Sequence, residues 1–331
     1  MNLRPPLKSA LVVATREVPG TLCVDAPGVA VTLKNGPTER FDRAGLLKHV
    51  RGADVVISMY SDKVDAEFLD AAGEQIRGVC NLAVGYENID LVECAKRNVL
   101  IGNTPDAVTE GTADMAWLLI LATARRLIEA DRFARSGDWG KAGPLGMAQF
   151  LGQDLTGKTL LIVGAGRIGY ATALRSVGWG MKVLYVARSR HLDFEMAPLA
   201  AEQVALHDGL ARADVVSIHT PLNPETRHLM NAKAFASMKQ GAILVNTSRG
   251  PVVDEQALVD SLKAGKLWGA GLDVFESEPE VHQDLKSMTN VVLSPHIGSA
   301  AARFRAMMTQ LACENAAAIL LGKKPPHQVT A

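Results

Sequence analysis

Three ionisable residues fall in one order towards the end of the chain: Arg249 within NTSRG, Glu278 within ESEPE and His296 within SPHIG. Upstream of them lies Gly164-Ala165-Gly166-Arg167-Ile168-Gly169, the pattern of a dinucleotide-binding turn. A guanidinium can hold the carboxylate of a 2-oxo acid, and an imidazole can exchange the proton of the corresponding hydroxyl. A carboxylate beside that imidazole favours its charged form. Downstream of a nucleotide turn, the set matches what hydride transfer to a 2-oxo acid requires.

A GxGxxG pattern alone is a weak signal, so its context decides. Here it follows an apolar strand, Thr159–Val163, and precedes a helix-compatible run, Tyr170–Val177. Gly164 permits a tight turn, Gly166 lets the backbone approach a pyrophosphate, and Gly169 allows close packing of helix on strand. Arg167 and Ile168 complete the loop, whose amides at a helix N-terminus suit an anion. About twenty residues on, an NAD site carries an acid that binds the ribose hydroxyls. This chain reads Tyr185-Val186-Ala187-Arg188-Ser189-Arg190, with alanine at that place. Arg188, Ser189 and Arg190 could grip a 2′-phosphate, or the two arginines could be solvated loop charges. Loss of the acid with gain of two guanidiniums favours NADP(H), with NAD(H) as the lesser cofactor.

The elements that must position these groups follow an alternating pattern. Short apolar runs at Leu11–Ala14, Asp54–Ser58, Gly78–Leu82 and Val99–Gly102 form one series. A second comprises Thr159–Val163, Lys182–Val186, Asp214–His219, Ala242–Asn246, Ala270–Val274 and Asn290–Leu293. Helical stretches separate them, which is the signature of parallel α/β sheets. The series echo each other: Ala53-Asp54-Val55-Val56 recurs as Ala213-Asp214-Val215-Val216, and Asn81…Gly85…Asp90 as Asn246…Gly250…Asp254. Two related doubly wound domains are expected. Between them, 111–136 reads as one long helix closed by Gly137, buried all round over Met115–Ala124, and suited to a domain junction or subunit interface. A tail helix over Ala300–Leu321, ended by Gly322 and Pro325, is expected to pack back on the first domain.

The 331 residues favour two domains, and 48% hydrophobic content fills two cores. Lys+Arg and Asp+Glu are both 35, which argues against nucleic-acid or anionic-membrane partners. Cys23, Cys80, Cys94 and Cys313 lack metal spacing and read as buried small hydrophobes in a reducing compartment, with no metal site. The first residues show no apolar secretory stretch, and the most apolar helix is too short to span a bilayer, so a cytoplasmic protein is expected.

The chain resembles the D-2-hydroxyacid dehydrogenase family along nearly its whole length. The resemblance rests on NLAVGYENID, NTPDAVTEGTAD, GAGRIG, HTPLNPETRHL, NTSRGPVVDEQAL, GLDVFESEP and SPHIGSA. His296-Ile297-Gly298-Ser299-Ala300 is similar to the glyoxylate/hydroxypyruvate reductase branch. The resemblance implies Arg249 as the substrate-carboxylate anchor, His296 as general acid/base, and Glu278 as its partner, the carboxylate directly before Pro279. Glu276 and Glu280 then read as solvated charges. It further implies that the amides of Val84 and Gly85 hold substrate, although Gly85 could simply turn the chain, and that Ser299 contacts substrate. Thr112, Thr220, Pro221, Thr247, Ser248 and Asp273 would line the cofactor beside His296, with Asp273 meeting the carboxamide. Trp139 either caps a core or reaches the neighbouring subunit's site, which would make a homodimer part of the mechanism.

The implied architecture is two doubly wound parallel-sheet domains with an interdomain cleft. A discontinuous, flavodoxin-like substrate domain takes 1–104 and 297–331, and a Rossmann cofactor domain takes 105–296. The implied reaction is NADPH-dependent reduction of a small 2-oxo acid, glyoxylate to glycolate or hydroxypyruvate to D-glycerate. A 2-ketogluconate reductase is the alternative, since a longer sugar acid could use the same anchor. Phosphoglycerate dehydrogenase is disfavoured because no further domain is expected after residue 331, and formate dehydrogenase because Glu278 stands where that branch has glutamine. A dinucleotide-sensing corepressor would share the triad, but long polar tails are lacking.

Overall fold

The computed structural model describes residues 4–330. Their strands, in chain order, are β1 (Ser9–Ala14), β2 (Ala30–Lys34), β3 (Val55–Met59), β4 (Gly78–Leu82) and β5 (Leu100–Gly102), then β6 (Thr159–Val163), β7 (Lys182–Val186), β8 (Glu202–Gln203) and β9 (Val215–Ile218). β10 (Ala242–Asn246), β11 (Leu267–Leu272), β12 (Val291–Leu293) and β13 (Gln328–Val329) complete the set. The described residues divide into two compact units, one running up to Val108 and resuming at Ala300, the other spanning Thr109–Ser299.

In the first unit the sheet order is β13-β5-β4-β3-β1-β2, flavodoxin-like in its β2-β1-β3-β4-β5 part. All pairings are parallel except β13 on β5, which is antiparallel. Every residue of β4 and β5 is buried, as a sheet covered on both faces demands, and all but Asn81, which is hydrogen-bonded, are non-polar. One face packs on Val13, Val56, Phe68, Leu69 and Val79. The helix Ala302–Leu320 lies against β3, β4 and β5. Gly78 and Gly102 leave the room that Ile319 and Asn315 fill. Buried Asn315 donates to the Asn103 carbonyl (2.8 Å) and accepts from the His327 amide (3.0 Å), tying the C-terminal segment to the end of β5.

In the second unit the order is β12-β11-β10-β9-β6-β7-β8, all parallel. The order reverses at β6, between β7 and β9, which is where open α/β sheets bind ligands. The helix Thr109–Ala124 packs on β10 and β11. Its Trp117 indole donates to the Thr172 carbonyl (2.8 Å), joining it to the helix Arg167–Arg175. The internal echo has a physical basis. Asp54 accepts the Leu11 amide (2.8 Å), and Asp214 likewise accepts that of Thr159 (2.9 Å). Asp90 and Asp254 each cap the N-terminus of the helix that follows.

Four expectations need correction. The stretch 111–136 is two helices, Thr109–Ala124 and Leu127–Arg135, broken where Arg126 adopts φ 54°. The break follows from capping by distant donors: the Trp268 indole takes the Thr123 carbonyl (3.0 Å) and the Gln153 amide takes that of Ala124 (2.8 Å). The first helix is not buried all round, because Leu118 is 53% exposed. β11 runs over Leu267–Leu272 rather than 270–274, since the chain bends at Asp273. Finally, Cys23 is exposed, while Cys80, Cys94 and Cys313 are buried thiols; burial pushes Cys94 up to about 12.

Candidate active site

The glycine turn sits at the carboxyl end of β6, and each glycine meets a different constraint. Gly164 has φ +106°, and a Cβ there would strike the His219–Thr220 backbone at 2.8 Å. At Gly169 it would lie 2.2 Å from the Gly164 carbonyl oxygen, so helix and turn touch. A Cβ on Gly166 would meet no atom within 4 Å. The surface beside Gly166, at the N-terminus of the helix Arg167–Arg175, is therefore open, and no side chain caps that helix. Around the same strand ends the hydroxyls of Thr220 and Thr247 are buried without a hydrogen-bond partner, as is Nδ1 of His219. Open space at the amides together with inward-facing orphan hydroxyls fits a dinucleotide.

His219 carried no expectation from the sequence. It is half-buried, its Nε2 pairs with the Ser217 hydroxyl (2.9 Å), and burial lowers its pKa to about 3, which keeps the ring neutral. The strand-end position before Thr220-Pro221 was the available signal. Pro221 is exposed at the rim. Ser248 donates its hydroxyl to Asn246 Oδ1 (2.9 Å), which fixes the loop after β10. Thr112 is buried in the helix Thr109–Ala124.

After β7, Arg188, Ser189 and Arg190 are exposed on one loop. Arg190 pairs with Glu195 (2.5 Å), whose other oxygen accepts the Tyr185 hydroxyl (2.7 Å). Its guanidinium therefore has a resident carboxylate with which any phosphate competes.

The three ionisable residues belong to the loops after β10, β11 and β12. His296 Nδ1 and Glu278 Oε2 are 2.8 Å apart, and Glu278 Oε1 accepts the Phe275 amide (3.0 Å). Burial alone would push the Glu278 carboxyl up. The His296 hydrogen bond and charge, the Phe275 amide and the Arg249 charge outweigh it and hold the group below its ordinary value. A depressed carboxylate is stabilising at neutral pH, and its contribution is lost only as pH falls through the carboxylate range. The Glu278 contact takes the Nδ1 side of the ring. Arg249 Nη1 donates to the Ser248 carbonyl (2.7 Å), and its charge reaches Glu278.

Asp273 organises the imidazole loop. It is 1% exposed and accepts from the Ser294 hydroxyl (2.6 Å) and the amides of Ile297 (2.9 Å) and Gly298 (2.7 Å). The His296 amide donates to its carbonyl (2.8 Å), and His296 takes φ 53°. Ser299 follows this loop and is half-buried. Glu276 is not the solvated charge the sequence implied: its carboxylate pairs with His228 (2.5 Å) and its amide donates to buried Glu255 (2.8 Å). Glu280 is exposed, as expected.

In the first unit, the loop after β4 turns its carbonyls onto protein donors. Val84 accepts from Asn103 Nδ2 (2.8 Å) and Gly85 from Asn81 Nδ2 (2.9 Å). Trp139 lies in a short helix, Asp138–Ala142, and is 51% exposed, so it caps no core within the chain. Among the described residues, no group of three or more His, Cys, Asp or Glu could hold a metal ion, and no helix is long and apolar enough to cross a membrane.

Comparison with known proteins gives this geometry a lineage. Residues 117–298 match the profile of the D-isomer specific 2-hydroxyacid dehydrogenase NAD binding domain. Over 291 residues the chain is 50% identical to the glyoxylate reductase of Thermococcus onnurineus, covering 87% of this chain and 86% of that protein. A crystal structure of a Thermus thermophilus protein superposes with a TM-score of 0.87 at 40% identity, covering 97% of this chain and 100% of the other. The NADPH-dependent glyoxylate/hydroxypyruvate reductase of Sinorhizobium meliloti, solved with NADP and malonate, gives 0.80 at 29%, covering 97% and 96%. The chain belongs to the D-isomer specific 2-hydroxyacid dehydrogenase family of NAD(P)-dependent oxidoreductases.

Proposed function

We propose that this protein reduces small 2-oxo acids, glyoxylate and hydroxypyruvate foremost, with NADPH preferred over NADH. The observation that carries the reading is the Glu278–His296 pair at 2.8 Å with the Arg249 charge beside it, in the unit that holds the glycine turn. The glyoxylate reductase relatives and the NADP-bound neighbour support the substrate and cofactor.

Bound NADPH would supply hydride to the oxo carbon from its nicotinamide. Gly164, Gly166 and Gly169, with the Arg167 and Ile168 amides, would receive the pyrophosphate. Thr112, Thr220, Pro221, Thr247, Ser248 and Asp273 would line the remainder, and Arg188, Ser189 and Arg190 would take the 2′-phosphate. Arg249 would anchor the substrate carboxylate and polarise the adjacent oxygen, with Ser299 alongside. His296, oriented by Glu278, would donate its Nε2 proton as the alkoxide forms. In the first unit, the amides of Val84 and Gly85 are proposed to bind a carboxylate. Trp139 is proposed to act on the site of a second copy in a homodimer.

The test is a matrix assay: glyoxylate, hydroxypyruvate and 2-ketogluconate, each with NADPH and NADH, for the wild type and His296→Gln. Glyoxylate with NADPH should give the highest kcat/KM. His296→Gln should lower kcat by roughly 10²–10⁴-fold with NADPH affinity nearly unchanged. A clear preference for 2-ketogluconate would favour the sugar-acid alternative, and wild-type turnover in His296→Gln would remove the proton-transfer role.

A further inference from the structure

Two residues before Glu278, the side chain of Glu276 is turned away from the triad and tied into a separate set of contacts. Its Oε1 lies 2.5 Å from His228 Nε2 and 3.7 Å from Arg227 Nη2. Its Oε2 accepts the Glu255 amide (3.3 Å) at the start of the helix Glu255–Lys263. In return, Glu255 Oε1 accepts the Glu276 amide (2.8 Å). Glu255 is only 6% exposed, and burial raises its pKa, so it is costly to keep there without a partner.

These contacts bear directly on the triad. The Phe275 amide donates to Glu278 and the next amide, that of Glu276, donates to Glu255, so the Phe275–Glu276 peptide is gripped on both sides. Gly250, directly after Arg249, touches the same peptide: a Cβ there would lie 1.8 Å from the Phe275 carbonyl oxygen. The segment carrying His228 is stitched to the same turn, with the amides of His228 and Met230 on the carbonyls of Pro251 (2.8 Å) and Val252 (3.0 Å). The Arg249 loop and the Glu278 loop are therefore joined through backbone contact and one carboxylate hook.

We infer that Glu276 is a positioning residue for the reaction: by hooking the Phe275–Pro279 loop onto Glu255 and His228, it sets the Glu278 carboxylate against Nδ1 of His296. The inference rests on the proposed role of His296 as proton donor. Truncating Glu276 frees the loop, Glu278 drifts from the ring, and the imidazole loses the partner that favours its charged form. The groups facing Glu276 include His228, Arg227 and Glu255, with His282 near Glu255; Glu278 faces His296 and itself feels the Arg249 charge.

The experiment measures kcat/KM for glyoxylate reduction against pH in the wild type, Glu276→Ala, Glu276→Gln, His228→Gln, Glu278→Gln and the double variant Glu276→Ala/Glu278→Gln. The His296 ring is titrated by NMR in the same cofactor-free proteins. Glu276→Ala should move the alkaline limb, and the ring titration, about one unit towards acid, the direction set by loss of a carboxylate partner. His228→Gln should move both the same way by less. Glu276→Gln keeps an acceptor oxygen and should restore most of the wild-type profile. On the Glu278→Gln background, Glu276→Ala should add less than about twofold, since both changes remove one interaction. Additive losses, or a limb and ring titration unmoved in Glu276→Gln, His228→Gln and Glu276→Ala alike, overturn the inference. If Glu276→Ala does not fold, His228→Gln decides by the direction of its shift. A wild type inert on every 2-oxo acid refutes the proposed function instead, and the ring titration still reads the positioning role.

Discussion

Of the residues proposed to choose the cofactor, Arg188 should have the largest say, because its neighbour is already engaged. Arg190 and Glu195 form an ion pair backed by the Tyr185 hydroxyl, so a 2′-phosphate reaching Arg190 competes with a carboxylate fixed in place. Arg188 is exposed, with no carboxylate at ion-pair distance among the described residues. A charge-assisted hydrogen bond contributes about 1.5–3 kcal/mol, roughly ten- to a hundredfold in affinity. Arg188→Ala with Arg190→Ala should therefore weaken NADPH by that order and leave NADH almost unchanged, with Arg188→Ala alone giving most of the loss. Fluorescence titration with both cofactors checks this; equal losses for the two would remove the 2′-phosphate role. The same scale shows where residue types informed and where they misled. The closeness of Glu278 to His296, with the Arg249 charge on Glu278, was legible because each lies in its own ordered motif. Glu276 was not, since a glutamate in ESEPE gives no local sign that buried Glu255 and distant His228 await it.

At the scale of elements, the glycine turn separates what the fold needs from what a ligand needs. Gly169 is a packing residue, as its Cβ would overlap the Gly164 carbonyl. Gly166 has nothing within 4 Å of that position and a φ of −80° that any residue adopts. Gly169→Ala should thus cost about 1–3 kcal/mol through overpacking and lower Tm. Gly166→Ala should leave Tm within a degree or so but weaken NADPH, because the methyl group projects into the space proposed for the pyrophosphate. Calorimetry beside cofactor titration distinguishes them, and a Gly166→Ala protein that binds NADPH normally would dissociate the turn from the nucleotide. The central strands were legible because burial on both faces writes continuous apolar runs, as over Leu160–Val163 in β6 and Ala242–Val245 in β10. The edge strands β2, β8 and β13 were not: β2 has no buried residue and the other two are two residues long. The break at Arg126 was illegible for a different reason. No glycine or proline marks it, and the donors that end the helix, Trp268 and Gln153, come from elsewhere in the chain.

On the scale of the whole molecule, the segment from Leu118 to Leu151 carries several exposed large apolar side chains. Leu118 is 53% exposed, Leu127 51%, Trp139 51%, Leu151 60% and Met147 96%. Among the described residues the helix Leu127–Arg135 contains no buried residue, although its Phe133 ring packs on Phe150 at 5.2 Å. A second copy is the occupant that the Trp139 proposal requires, and a two-fold interface would bury the same residues twice. Equal numbers of acidic and basic residues set no long-range repulsion against self-association. Sedimentation should accordingly find twice the chain mass at micromolar concentration. Leu118→Arg with Leu127→Arg, which places like charges at a desolvated contact, should shift the protein to monomer. Trp139→Ala should remain dimeric, yet raise the KM for the 2-oxo acid without changing NADPH affinity, because its indole is proposed to serve the other copy's site. A monomeric wild type ends both proposals. A dimer whose KM ignores Trp139 keeps the interface and removes the tryptophan from the chemistry.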